Sequence, residues 1–294
     1  ITNLKNLPNT LVFNAKYDAQ KNQLLLNNLE AKSKLYYSNI NGEIDLSNGQ
    51  NINISGTLNS GNFSSLSPEL KGNLKSNFQV FGTIESLQIK SDGMLNIEQL
   101  EDNNISPISF NISSIVSPQT GIGGIKANVA IASSYQGLPI AFNAEILENG
   151  GEIILEKINA SAPDIAINGR LKINPKTTIV EGDMSVMIAD LKQYKELLKQ
   201  NINTSGKVRI SLSNNEGAQQ ITTISNLPKI SYNNISISGL NLQTVTNNIK
   251  DYKATDLLLN LKKVNAGQLL LLNTTSSLKK SNDNNFTYWA GLSY

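Results

Sequence analysis

Aliphatic and polar residues alternate in short runs along most of the chain, most clearly within residues 150–212. There Ile165, Ile167, Gly169, Leu171 and Ile173 alternate with Ala166, Asn168, Arg170 and Lys172. After the turn sequence Asn174-Pro175-Lys176-Thr177, a second series carries Val180, Gly182, Met184, Val186 and Ile188, and a third carries Val208, Ile210 and Leu212. Side chains along a strand point to opposite faces in turn, so each run predicts a strand with one apolar and one mostly polar face. Between the second and third runs, residues 190–200 predict one short helix. Asp190 is placed to cap it, Gln193 is its capping-box partner, and Leu191, Tyr194 and Leu198 share a face. Residues 67–70 (Ser-Pro-Glu-Leu) predict a one-turn echo of that helix. Residues 99–107 and 117–124 predict loops, and the polar stretch 274–285 a flexible one.

A five-residue pattern recurs: an aliphatic, any residue, Gly, any residue, then an aliphatic or Met. It occurs around Gly42, Gly56, Gly72, Gly82, Gly169 and Gly182, with a partial copy around Gly206. On a strand the Gly shares a face with both flanking aliphatics, so it leaves a notch in the apolar wall and lets the sheet bend sharply. The copies are unevenly spaced, which argues against a strict-period solenoid and for a meander of strands of varying length. Asn48-Gly49, Ser60-Gly61, Asp92-Gly93 and Asn149-Gly150-Gly151 supply turn chemistry between the runs. The expected fold is all-β: an elongated, twisted and curled sheet forming a half-open apolar groove. It occupies residues 1–294 as one repetitive region, with a possible subdivision near 98–125.

Composition removes several kinds of chemistry. There is no Cys, hence no disulfide framework or thiolate, and no His, hence neither the usual general base nor the commonest metal ligand. A net charge of +2, with Lys residues scattered and only Arg170 and Arg209 as arginines, gives no reason to expect a nucleic-acid partner. No apolar run is long enough to cross a bilayer as a helix. The chain opens Ile-Thr-Asn with no initiator Met, which suggests a piece of a longer protein. The Gly-rich stretch 120–124 lacks the Gly-Lys-Ser/Thr ending of a phosphate loop. Acidic residues such as Glu152, Asp164 and Glu181 stand singly between aliphatics, and Glu101-Asp102 lacks a third ligand for calcium. Ser and Thr are plentiful but have no evident activating partner. The expectation is a protein that is not an enzyme and holds no cofactor and no metal.

The stretch Asn62 to Ile84, with Pro68, Leu70, Gly72, Leu74, Val80, Gly82 and Thr83 at its fixed points, resembles a phrase of the TamB family that ends one sheet segment and starts the next. Residues 189–212 are similar to the same phrase, the run from Gly151 to Asp183 is also family-like, and residues 230–242 resemble the segment that follows. The resemblance covers most of residues 40–97 and 140–272. It implies a long periplasmic protein anchored in the inner membrane by a segment outside this sequence. It also implies an outer-membrane barrel partner of the Omp85 class, TamA or its equivalent, reached through other parts of the protein. The implied activity is phospholipid transport between the membranes, with support of outer-membrane protein and autotransporter assembly, in a trough sometimes called a β-taco.

Two readings of the apolar face therefore stand side by side. In one, Ile54, Leu58, Val80, Ile84, Ile165, Ile167, Leu171, Ile173, Val180, Met184, Val186 and Ile188 line a groove that shields phospholipid acyl chains. In the other, the same residues fill the closed, dry core of a β-solenoid surface adhesin or structural spacer. A third has an edge strand pairing with nascent outer-membrane strands.

Overall fold

The alternating runs are β-strands. The computed structural model describes residues 9–47, 50–61, 63, 71–97, 105–117, 125–247, 255–280 and 286–293. The chain divides into two compact units, residues 1–150 and 151–294. The division falls at the Gly150-Gly151 turn. Within the stretch 98–125, residues 108–116 are laddered to residues 87–95. The one-turn helix expected at 67–70, most of the loops expected at 99–107 and 117–124, and residues 281–285 lie outside the described residues.

The first unit holds β1 (Thr10–Asp18), β2 (Gln23–Lys32), β3 (Tyr37–Asp45), β4 (Asn51–Ser60), β5 (Gly72–Thr83), β6 (Ser86–Ile97), β7 (Ile108–Val116), β8 (Lys126–Tyr135) and β9 (Leu138–Asn149). The second holds β10 (Glu152–Ala162), β11 (Ile165–Asn174), β12 (Ile179–Ile188), β13 (Ile202–Asn215), β14 (Ala218–Tyr232), β15 (Ile235–Asn247), β16 (Thr255–Ala266), β17 (Leu269–Lys280) and β18 (Phe286–Ser293). Each is an antiparallel meander in which a strand pairs with the next in sequence, and the sheet does not close into a barrel.

A single-layer sheet has two faces, yet only one is sheltered here. Along β4, Ile52, Ile54, Gly56 and Leu58 are half-buried while Asn51, Asn53, Ser55 and Thr57 are exposed. Among the described residues the strand contacts run almost entirely between sequence neighbours. A lone sheet can shelter one face only by curling around it. The curl expected from the recurring glycines is thus present.

Bulges supply part of the bend. In β14 to β17 one residue in each strand drops out of the ladder: Pro228, Gly239, Lys262 and Asn273. Four bulges in adjacent strands keep step with one another, so pairing resumes on the far side with the faces preserved. Pro228 is tolerated in an interior strand because the bulge asks no ladder hydrogen bond of it. Gly239 has φ 64, and a Cβ there would run into the stem of Lys262.

Two local expectations change. Residues 274–280 belong to β17 and are not a loop. Thr274 faces Leu261 and is buried, while the Thr275 hydroxyl donates to Asn260 Oδ1 at 3.0 Å, so β-branched threonines serve a ladder that polarity alone argued against. Ile105 also bridges to Tyr135, with the Ser106 amide donating to the Ser134 carbonyl at 2.8 Å, which fastens the end of the 98–107 loop. The helix is shorter than residues 190–200: a 3-10 turn, Lys192–Tyr194, runs into α1 (Lys195–Leu198). Asp190 Oδ1 accepts the Lys192 amide at 2.9 Å, but Gln193 makes no capping box. Its Nε2 donates to Asp164 Oδ2 at 2.6 Å, across to the β10–β11 turn. Tyr194 is buried, its hydroxyl donating to the Pro163 carbonyl at 2.6 Å, while Leu198 is exposed. Burial, with the Asp164 charge second, pushes the Tyr194 hydroxyl above its ordinary pKa. Tertiary anchoring through Tyr194 and Gln193, more than an amphipathic face, holds this turn in place.

A Cβ at Gly93 would overlap the Lys75 carbonyl and stand 2.7 Å from the Phe110 ring. Gly93→Val should therefore destabilise the first unit by about 2 kcal/mol. Gly61→Ala, where nothing lies within 4 Å of the new methyl, should stay within about 0.5 kcal/mol. Urea unfolding of both variants checks the contrast.

Candidate functional site: the sheltered apolar face

The strand register puts the sequence-predicted residues together. In the second unit Ile165 faces Ile188, Ile167 faces Val186 and Ile173 faces Val180, all on the sheltered side of β11 and β12. Leu171 faces Gly182 and Met184 faces Gly169. In the first unit Ile54 of β4 faces Val80 of β5, and Leu58 faces Ser76. All of these aliphatics are half-buried. Ile84 is the exception. It falls in the two-residue turn between β5 and β6 and is 37% exposed, because β5 ends at Thr83. The pattern around Gly82 continues the strand on paper, but Glu85 and Ser86 start the return hairpin.

The face extends well past those residues. Rows of cross-strand neighbours carry it through the first unit: Gly42, Ile54, Val80, Ile89, Ser114, Ala127 and Ile146 form one such row. In the second, Ile165 and Ile188 lead through Gly206 towards Leu227, Leu240 and Leu261. No side chain on it is fully buried among the described residues. The most covered groups are Ala144 and Ile158, followed by Leu26, Ala127 and the small hydroxyls Ser38, Ser60, Ser76, Thr204, Ser225 and Thr274. Several are satisfied locally: Ser60 Oγ donates to the Leu35 carbonyl at 2.7 Å, Ser76 Oγ lies 2.8 Å from Ser91 Oγ, and Thr204 Oγ1 donates to the Lys229 carbonyl at 3.0 Å. Bonded in this way, they add little polarity to the wall.

The glycine notches are not left open. Phe78 faces Gly56, Phe110 faces Gly93 and Met184 faces Gly169, each spreading over the position where a Cβ would stand, at 2.8, 2.7 and 2.9 Å from it. A large side chain laid over a glycine restores the apolar cover that the glycine removed. Sequence reasoning saw the notches at Gly56 and Gly169 but not their fillers, and it took Asp92-Gly93 for a turn, whereas both residues lie inside β6 with Gly93 paired to Phe110. The signal was an aromatic or Met one strand away, which becomes legible only once register is known.

A second feature absent from the sequence reading is Gln219. The ladder of β12 with β13 ends where Gly182 faces Leu212. Beyond it, the Val180 amide donates to Gln219 Oε1 at 2.7 Å, and Gln219 Nε2 donates to the Val180 carbonyl at 2.8 Å. The side-chain amide takes the place of a strand backbone and satisfies a peptide group that would otherwise be unpaired. Gln219 sits on β14, two strands from β12. Two strand spacings in a flat sheet amount to about 9.6 Å, so this strap closes only because the sheet curls.

Two hollows open mainly on the polar face, the first reaching Ile188 and Gly206 at its edge. One of about 550 Å³ is lined by Met187, Lys207, Arg209, Ile224, Asn226 and Pro228, and one of about 540 Å³ by residues of β4 to β7 including Lys75, Asp92 and Met94. Among the described residues no group of three or more acidic residues converges as a metal site would need, and no helix is long and apolar enough to cross a membrane. Arg170 and Lys172 pair with Glu156 at 2.7 Å and Glu152 at 3.0 Å, which accounts for those charges by solvated ion pairing.

No family model, no curated protein and no solved structure matches this chain.

Replacing Gln219 with Ala should cost about 1–2 kcal/mol and expose the Val180 peptide. Amide hydrogen exchange should then show Val180 losing protection while Val186, inside the ladder, keeps it.

Proposed function

We propose that this chain is a non-enzymatic conduit segment whose sheltered face shields phospholipid acyl chains in transit between the inner and outer membranes, as in the TamB family. The observation that carries the reading is the face itself. It runs from strand to strand through each unit, is built from Ile, Leu, Val and Phe, and is half-buried by the curl of its own sheet. A closed adhesin or spacer core would be expected to bury most of its aliphatics, whereas among the described residues only Leu26 and Ile158 of the branched aliphatics are buried and the rest of the face is half-buried.

The energetics suit carriage. Burying a methylene is worth about 0.8 kcal/mol, so a sixteen-carbon chain laid along the face gains on the order of 10 kcal/mol. A wall of similar aliphatics makes that gain nearly constant along the path. A lipid can then slide without a deep well while its head group stays in water at the rim. In this reading the protein works in the periplasm, is tethered to the inner membrane and meets an Omp85-class barrel through segments beyond this sequence. Support of outer-membrane protein assembly follows from the same placement.

Photo-crosslinking amino acids at Ile167 and Val186 should capture phospholipid in a Gram-negative periplasm, while one at Asn53, on the exposed face of the first unit, should not. Capture at Asn53 alone, or at none of the three, would favour the closed spacer.

A further inference from the structure

The exposed face of the second unit is chemically lopsided. Its cross-strand rows follow from the register. One contains Asn168, Ser185, Arg209, Ile224, Gln243, Leu258, Ser277 and Trp289. The next contains Ala166, Met187, Lys207, Asn226, Asn241, Asn260 and Thr275, and a third contains Ser205, Lys229, Ser238 and Lys263. No Asp or Glu occurs in any of them. The acidic residues begin one row away, at Asp183 and Asp256. Lys207, Arg209, Lys229 and Lys263 are exposed, and no carboxylate among the described residues pairs with them.

The same rows carry the large apolar side chains that this face leaves in water. Met187 is 54% exposed and Trp289 56%, and Ile224 and Leu258 are also exposed. Trp289, the sole tryptophan of the chain, lies flat over Gly291. Between Met187, Lys207, Arg209, Ile224 and Pro228 the surface is hollowed to about 550 Å³.

We propose that this face docks on an anionic lipid bilayer. Cations bind the phosphates, while Trp289, Met187, Ile224 and Leu258 enter the head-group region. Charge complementarity selects the partner: four unpaired cations with no interspersed acid would repel a basic surface and leave a neutral one without electrostatic gain. The mixture of Trp, aliphatic and basic side chains is the composition that settles at a membrane–water interface. Docking uses the face opposite the groove, so the two surfaces are separable by experiment.

Because Trp289 is unique, its fluorescence reports this face directly. Vesicles of phosphatidylcholine with about one third phosphatidylglycerol should shift its emission to the blue, and pure phosphatidylcholine vesicles should not. Raising salt to about 0.5 M should reverse the shift. The variant K207E/R209E/K229E/K263E should lose affinity for the anionic vesicles by roughly a hundredfold. The milder K207Q/R209Q/K229Q/K263Q, checked for strand content by circular dichroism, gives the same ordering if the reversal misfolds. An equal shift with both vesicle types, or binding unchanged in the Gln variant, would overturn the proposal. So would a response to polyglutamate without one to vesicles, which would point to an acidic protein, or displacement by millimolar inorganic phosphate, which would point to a free anion site. Lipid capture at Ile167 and Val186 should persist in the Gln variant, so failure of docking leaves the groove reading standing and the converse also holds.

Discussion

Backbone hydrogen bonding between neighbouring strands is the constraint from which the rest of this protein follows. Each unit is an antiparallel meander of strands, and a flat single layer would leave both of its faces in water. Curling the sheet lets one face shelter itself, and every distinctive local feature serves that curvature without breaking the ladder. Glycines permit neighbouring strands to approach where a Cβ would strike a carbonyl, as at Gly182, whose φ of 139 no other residue adopts readily. The line of bulges from Pro228 to Asn273 bends four strands together. Gln219 pairs the Val180 peptide, which lies beyond the end of the β12–β13 ladder.

The curl also explains why the wall has the chemistry it has. A crease crowds the residues at its centre, so small hydroxylated side chains end up nearly as covered as Ile158 and Ala144. Their hydroxyls can be spent on nearby carbonyls. The larger aliphatics further up each strand stay partly exposed because nothing faces them closely. Stability thus rests on ladders and on Phe78, Phe110 and Met184 laid over glycines. It does not rest on a filled interior, which leaves the apolar surface available to hydrocarbon.

Two faces of different chemistry share the strands of the second unit. Apolar groups inside and a cationic, tryptophan-bearing surface outside share the same strands, since alternate residues of one strand belong to opposite sides. An insertion of a single residue would exchange them. Bulges that keep step across four strands are the way such a sheet can bend without mixing its two surfaces.

Much of this was legible in the residues. Period-two alternation named the strands β11 to β13 and assigned Ile165, Ile167, Val186 and Ile188 to one face, because side-chain direction on a strand is a local property. The recurring glycines announced a bent sheet for the same reason. Local pattern misplaced Ile84, since a hairpin turn is decided by where the partner strand begins. It also misread 274–280 as a loop, since a threonine-rich segment joins a ladder only when a neighbour such as β16 offers one. The fillers over the glycines, the Gln219 strap and the acid-free rows around Arg209 depend on which strand lies beside which. That is register, and register is settled by contacts between residues far apart in the chain.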